Sequence, residues 1–256
     1  MKIAYTINGL IGGLSGKNFQ LRDQEVAPLI IKYTSNTINR FINQNSDVDF
    51  FIYSWQPELE EAFTSAYSPK ASYYTEQKNF KIPSYIPDDI RSQAHYSRWY
   101  GVKKLSEMIQ ETGVQYDLVV NCRMDTCWNR EIDFSKFNTD KIHVAYHSTH
   151  TEYLPFNKEG NDMCDHVFIS NLQNFYKIAS LFDNLDDYVQ PAKHKCHYSH
   201  ISNHLLIPQH LRAINIVDKL EASILNDLDA GKGTGDYDIF RYKNITKKQL
   251  TQQYEL

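Results

Sequence analysis

The hydrophobic pattern begins at once. Residues 2–7 alternate and then run apolar through Ile3, Ala4, Tyr5 and Ile7, which predicts a short strand. A glycine-rich turn follows, with Gly9, Gly12, Gly13 and Gly16. Residues 24–43 place Val26, Leu29, Ile30, Ile38, Phe41 and Ile42 at helical spacing. Residues 49–53, DFFIY, read as a second strand. Strand, helix and strand in this order build a parallel sheet. Residues 56–90 give mixed signals, with loop chemistry at 66–70 and 82–87. Residues 92–112 predict a strong helix with Tyr96, Trp99, Tyr100, Val102, Leu105 and Ile109 on one stripe, closed by Gly113 as a C-cap. A third strand follows at 117–120. Beyond it the pattern predicts strands at 142–146, 165–169 and 237–242, and helices at 171–182 and 209–228. The fold class is therefore α/β, a mostly parallel central sheet flanked by helices, with a doubly wound first half.

Composition narrows the picture. The chain has 256 residues, 41% hydrophobic and 23% charged, as in an ordinary soluble globular domain. A net charge of −4 argues against nucleic acid as a partner, since such binders carry a basic excess. No apolar run approaches the ~20 residues needed to cross a membrane. The first residues are too few and too polar after Ile7 for a signal peptide, so a cytoplasmic location is expected. Cys122, Cys127, Cys164 and Cys196 form no C-x-x-C pair, which argues against a zinc knuckle. The 18 tyrosines suit a polar cleft that stacks on sugars or bases, and equally suit half-buried strands.

Four segments could carry chemistry. Residues 9–18, GLIGGLSGKN, sit between a strand and a helix, the setting of a phosphate-binding loop, yet match neither the Walker pattern nor G-x-G-x-x-G. Residues 118–126 take an apolar strand into Asn121, Arg123, Asp125 and Thr126. A strand ending this way delivers a carboxylate to the sheet edge where α/β proteins bind ligands, and an Asp there can hold a divalent cation. The alternative is a helix N-cap at Asp125 or Thr126. Asp165 precedes another apolar strand, as a second acid across a cleft or as a simple turn residue. His197, His200 and His204 would share one helical face, as metal ligands or as surface residues.

The order of the short motifs resembles one family. It runs D-x-D-F-F-I-Y-S-W, Y-S-P-K, S-Q-x-x-Y-S-R-W-Y-G-V-K-K, Y-D-L-V-V-N-C-R-M-D, D-H-V-F-I-S and S-x-I-S-N-H-L-L across most of residues 1–210. The chain is similar to the polysaccharide glycosyltransferases of bacteria and viruses that have a GT-A fold. The resemblance implies a single GT-A-like domain over residues 1–230, with a nucleotide-binding half at 1–125, an acceptor half at 126–230, and a C-terminal tail at 231–256. It implies that Asp125, the last acid of a D-x-D motif here written R-x-D, binds Mn²⁺ or Mg²⁺ bridging the donor diphosphate. Arg123 stands in place of the first acid. Asp165 is placed near the acceptor or the anomeric carbon, as the catalytic acid–base group. Tyr5, Asn8 and Gly9 would touch the nucleotide, and Lys17 would replace an arginine usual in the N-terminal loop. The resemblance also puts an acid where this chain has Asn203 or His204.

The expected activity is transfer of a sugar from a nucleotide-diphosphate donor to a glycan or glycoconjugate, in polysaccharide biosynthesis. Arg241, Lys243 or Lys247 in the tail would close over the phosphates. Two alternatives stand beside it. One is a P-loop-like kinase or sulfotransferase resting on GLSGKN. The other is a protein that binds nucleotide sugars without catalysis, motivated by the missing first acid.

Overall fold

Strand alternation sorts side chains onto two faces of one sheet. The computed structural model describes residues 1–12, 26–42, 47–145, 164–191, 193, 201–225, 235–240 and 245–254. In β1 (Lys2–Gly9), Ile3, Tyr5 and Ile7 face one core, while Ala4 faces the other. In β2 (Asp47–Ser54), Phe50 and Ile52 join the first core, Phe51 and Tyr53 the second. In β4 (Leu118–Arg123), Leu118, Val120 and Cys122 divide from Val119 in the same way. Apolar residues on both faces are what a central parallel strand requires.

The first core is covered by α1 (Ala27–Phe41) and α2 (Glu60–Tyr67). The second is covered by α3 (Ile90–Thr112). Asp89 caps α3 by accepting from the Ser92 N–H at 2.8 Å, and Gly113 ends it at φ +65°. Its residues Trp99, Val102, Leu105 and Ile109 are fully buried. Each is worth about 1.5–3 kcal/mol of burial, so this stripe anchors the helix firmly.

The sheet has seven strands in the order β3-β2-β1-β4-β7-β6-β8, with β3 at Ala71–Tyr74, β6 at Ile142–Ala145, β7 at Cys164–Ser170 and β8 at Leu220–Ile224. Only β7 runs against the others. A second sheet pairs β5 (Thr126–Trp128) with β9 (Tyr237–Ile239). On the second face, α4 (Leu172–Ala179), α5 (Leu185–Tyr188) and α6 (Asn203–Ala213) complete the cover. The last helix, α7 (Lys247–Tyr254), packs on α1. No described helix is long and apolar enough to cross a membrane.

Three expectations are corrected. The helix expected at 209–228 starts at Asn203 and ends at Ala213, and Leu220–Ile224 is a strand. Asn215 takes a left-handed φ of 57° just after the helix, and Leu220, Ala222 and Ile224 alternate with Glu221 and Ser223 at period two. Residues 56–90, which gave mixed signals, contain α2 and β3, and α2 runs to Tyr67, into the loop expected at 66–70. No helix follows Asp125, so it caps none: it lies in a tight turn between β4 and β5.

Strand order places the site. The chain builds from β1 outward through β2 and β3, then returns to lay β4 on the opposite side of β1. The order therefore reverses between β1 and β4, and ligands of open α/β sheets bind beyond the carboxyl ends of strands at such a point. Because β7 is antiparallel, it brings its start, not its end, to the same edge: Cys122 pairs with Val167, close to Asp165.

Candidate active site

Four elements meet at that edge. Asn8 and Arg123 are register partners at the ends of β1 and β4. Between the sheet and its cover lies Arg98, on the sheet-facing side of α3 and 9% exposed. Its guanidinium donates to the Asn8 carboxamide oxygen, to Asn121 Oδ1 at 3.0 Å and to the Asp165 carbonyl at 3.0 Å. Asn8 answers by donating Nδ2 to the Arg98 carbonyl at 2.9 Å. Asn121 donates to Thr6 Oγ1 at 2.8 Å. Gly101 permits this approach, since a Cβ there would stand 2.7 Å from Asn8 Nδ2. Burying a guanidinium costs several kcal/mol. The apolar stripe of α3 and three charge-assisted hydrogen bonds offset that cost.

Asp165 is the anionic centre. It is 7% exposed and its Oδ2 accepts from Asn203 Nδ2 at 3.0 Å. Trp99 Nε1 donates to Asn203 Oδ1 at 3.0 Å and so sets that amide. Asp165 Oδ1 stands 3.6 Å from His204 Nδ1 and 4.0 Å from His166 Nε2. Burial pushes the carboxyl up, but His204 together with the guanidiniums of Arg98 and Arg123 prevails and holds it well below the usual carboxylate range. His166 is the opposite case: burial pushes it down to about 3, against the pull of Asp165. Burial also pushes Arg98 down to about 10, still cationic at neutral pH.

Arg123 and Asp125 form a bidentate pair, Nε to Oδ1 at 2.8 Å and Nη2 to Oδ2 at 2.9 Å. The Asp125 carbonyl accepts from the Phe240 N–H at 2.7 Å, which ties the turn to the segment after β9. Burial works against the charge on Arg123, and Asp125 beside it raises its pKa above the ordinary value. Several atoms around this edge are buried without a hydrogen-bond partner among the described residues: Arg98 Nε, His95 Nδ1, His166 Nδ1 and Thr126 Oγ1. Such atoms are uncommon in folded proteins, and each calls for an explanation beyond packing.

The residues expected from the sequence separate into three groups. Asn8, Gly9, Arg123, Asp125 and Asp165 come together at the edge. Gly9 has φ +124°, and a Cβ there would meet nothing within 4 Å. The turn after it is pinned by the Ile11 N–H donating to Gln56 Oε1 at 2.6 Å. Tyr5 is a correction. It is fully buried on the α1 side, donating to Cys122 Sγ at 3.2 Å and accepting from Trp128 Nε1 at 2.8 Å, so it cannot touch a nucleotide. Its odd position on β1 turns it away from the Asn8 face. Lys17, Arg241 and Lys243 lie outside the described residues, as do His194, His197 and His200 and the Lys247 side chain.

The sequence reading missed Arg98, Asn203 and His204 as one network with Asp165. A signal for Arg98 exists: 98, 102, 105 and 109 share helical spacing, so an arginine occupies the apolar stripe register of α3. Nothing local ties α6 to β7, because that contact spans 38 residues of chain. A shallow, open concavity lies elsewhere, lined by Glu58, Glu60, Glu61 and Thr64 at the start of α2, and its acidic walls would repel phosphate.

Buried histidines set an acid limit. Burial lowers the pKa of His95, His166 and His210. The unfolded chain binds protons at an ordinary ~6.5 that these residues refuse when folded. For His166 stability therefore rises with pH between about 3 and 6.5, by up to about 1.4 kcal/mol per pH unit, and His95 and His210 add to the rise just below ~6.5. Asp165, with its depressed pKa, contributes stability that is complete above ~3.9 and is lost only at lower pH. Urea midpoints are expected to fall steadily from pH 7 to pH 4.5, and the slope to flatten in His166→Gln. A flat wild-type profile across that range would contradict the buried neutral state.

No family model matches this chain, and no curated protein matches it.

Proposed function

We propose that the protein transfers a sugar from a nucleoside-diphosphate donor to a hydroxyl of a glycan or glycoconjugate, at the edge where β1 and β4 end. One observation carries this reading. Arg98, held by Asn8, Asn121 and the Asp165 carbonyl, and the Asp165 carboxylate, held by Asn203, lie with the Arg123–Asp125 pair at the reversal point of strand order. A mostly parallel seven-stranded sheet flanked by helices is compatible with a GT-A-like domain. Glycosyl transfer needs cationic groups for a departing diphosphate and an acceptor for one proton. Arg123 supplies charge at the mouth, its side chain 28% exposed. Asn8 and Gly9 offer the turn beside it.

A Mn²⁺ or Mg²⁺ ion on Asp125 fits this arrangement poorly. Both carboxylate oxygens already accept from Arg123, and a dication there would sit against a guanidinium. Among the described residues no group of three His, Cys, Asp or Glu is placed to hold a metal. The diphosphate charge is therefore assigned to Arg123.

Thermal unfolding with UDP-glucose, GDP-mannose, ATP and phosphoadenosine phosphosulfate tests the reading. A sugar nucleotide at ~100 times its Kd adds about 2.7 kcal/mol, which raises the midpoint by about 5–10 °C. Slow release of free nucleotide should accompany it and persist in excess EDTA. Stabilisation by ATP or the sulfonucleotide alone would favour a phosphoryl or sulfuryl transferase. Stabilisation by a sugar nucleotide without turnover would leave a binding protein. Loss of turnover in EDTA, restored by Mn²⁺, would return the diphosphate to a metal.

A further inference from the structure

Asp165 faces two imidazoles, and they differ in what they can reach. His166 follows it on β7, its side chain 14% exposed. His204, in the first turn of α6, stands nearer to Asp165 Oδ1, at 3.6 Å against 4.0 Å, and its side chain is 24% exposed against 10% for Asp165. The other oxygen of Asp165 is engaged by Asn203, itself fixed by Trp99. The carboxylate is thus oriented from one side and presents its remaining oxygen to an imidazole at the mouth.

We infer that His204 takes the proton of the attacking hydroxyl, and that Asp165 is the positioning carboxylate that stabilises the imidazolium so formed. The inference rests on the sugar-transfer reading. In the step, the acceptor O–H bond breaks and its proton passes to a ring nitrogen of His204. The acceptor oxygen bonds to the anomeric carbon. The bond from that carbon to the phosphate oxygen breaks, and its electron pair leaves with the nucleoside diphosphate. Water in place of the acceptor gives hydrolysis by the same movement of atoms.

Asp165 is poorly suited to take this proton itself. Its charged neighbours hold it well below the range of an effective base at neutral pH, and one oxygen is occupied by Asn203. It is suited to pair with a cation formed beside it. The separation of 3.6 Å is an ion-pair distance that shortens on charging, as catalytic contacts do when substrate binds. The titratable and charged groups facing this pair are His166 from β7, His95 and Arg98 from α3, Arg123 from β4 and Tyr237 from β9. Burial keeps His166 neutral down to about pH 3 and lowers His95, and both arginines remain cationic at neutral pH.

The test uses the full chain with UDP-glucose and GDP-mannose, following released nucleotide. His204→Gln is expected to lower kcat by about 10²–10⁴-fold, with sugar-nucleotide affinity within about twofold of wild type. His204→Ala should regain turnover in proportion to added imidazole, a rescue that a purely structural role does not give. A kcat near wild type in His204→Gln overturns the assignment alone, as does a collapse of affinity with kcat preserved. Failure of imidazole to rescue a folded His204→Ala, verified by its thermal midpoint, also overturns it. Absence of binding and turnover in wild type with any sugar nucleotide overturns the transferase reading, and the assignment with it.

Discussion

Arg98→Met is expected to cost about 3–5 kcal/mol of folding stability, because breaking a buried charged network leaves its partners uncompensated. Asn8 Oδ1, Asn121 Oδ1 and the Asp165 carbonyl each lose a donor, and the Asp165 carboxylate loses a neighbouring cation. Methionine fills a similar volume, so little cavity cost enters and the loss reports the polar network. Arg98→Lys should recover only part of it, since an ammonium cannot fork to three acceptors on three strands. Urea unfolding of both variants measures the effect. A change below about 1 kcal/mol in Arg98→Met would mean that the apolar stripe of α3 alone holds the helix and that the guanidinium is retained for ligand charge, not for folding.

The pattern of the chain made the first half of the sheet legible and the second half less so. Strands β1, β2 and β4 are buried on both faces, and their apolar runs stand out from flanking glycines and polar turns. The amphipathic stripe and its glycine C-cap gave α3 to within two residues. Later elements are shorter or sit at the edge. Strand β8 is half exposed, with only Ile224 buried, so its alternation is easily taken for a helical surface. The site shows the same division. Arg123 and Asp125 follow an apolar strand and could be placed at an edge from sequence. Their mutual pairing could not, because a residue between them hides which way each turns. Tyr5 was misplaced by position alone, since one step along a strand exchanges the two faces. The Asp165, Asn203 and His204 contact joins two segments that only the tertiary fold brings together.

Asp165→Ala should cut turnover by at least about 10²-fold while leaving sugar-nucleotide affinity close to wild type. The residue is buried beside two guanidiniums and two imidazoles, and its oxygens meet Asn203 and, at 3.6 Å, His204. Its removal therefore acts on the proton-accepting side. Asp165→Asn separates charge from shape: the amide keeps the volume but cannot stabilise an imidazolium. Asp165→Asn should therefore lose turnover about as severely as Asp165→Ala. Stability should fall in both Asp165 variants, since Arg98 and Arg123 lose an anion in a poorly solvated setting. Isothermal titration with UDP-glucose or GDP-mannose, set beside kcat, decides the role. If affinity collapses while residual turnover per bound donor is preserved, Asp165 belongs to the diphosphate side, and the carboxylate does not serve His204.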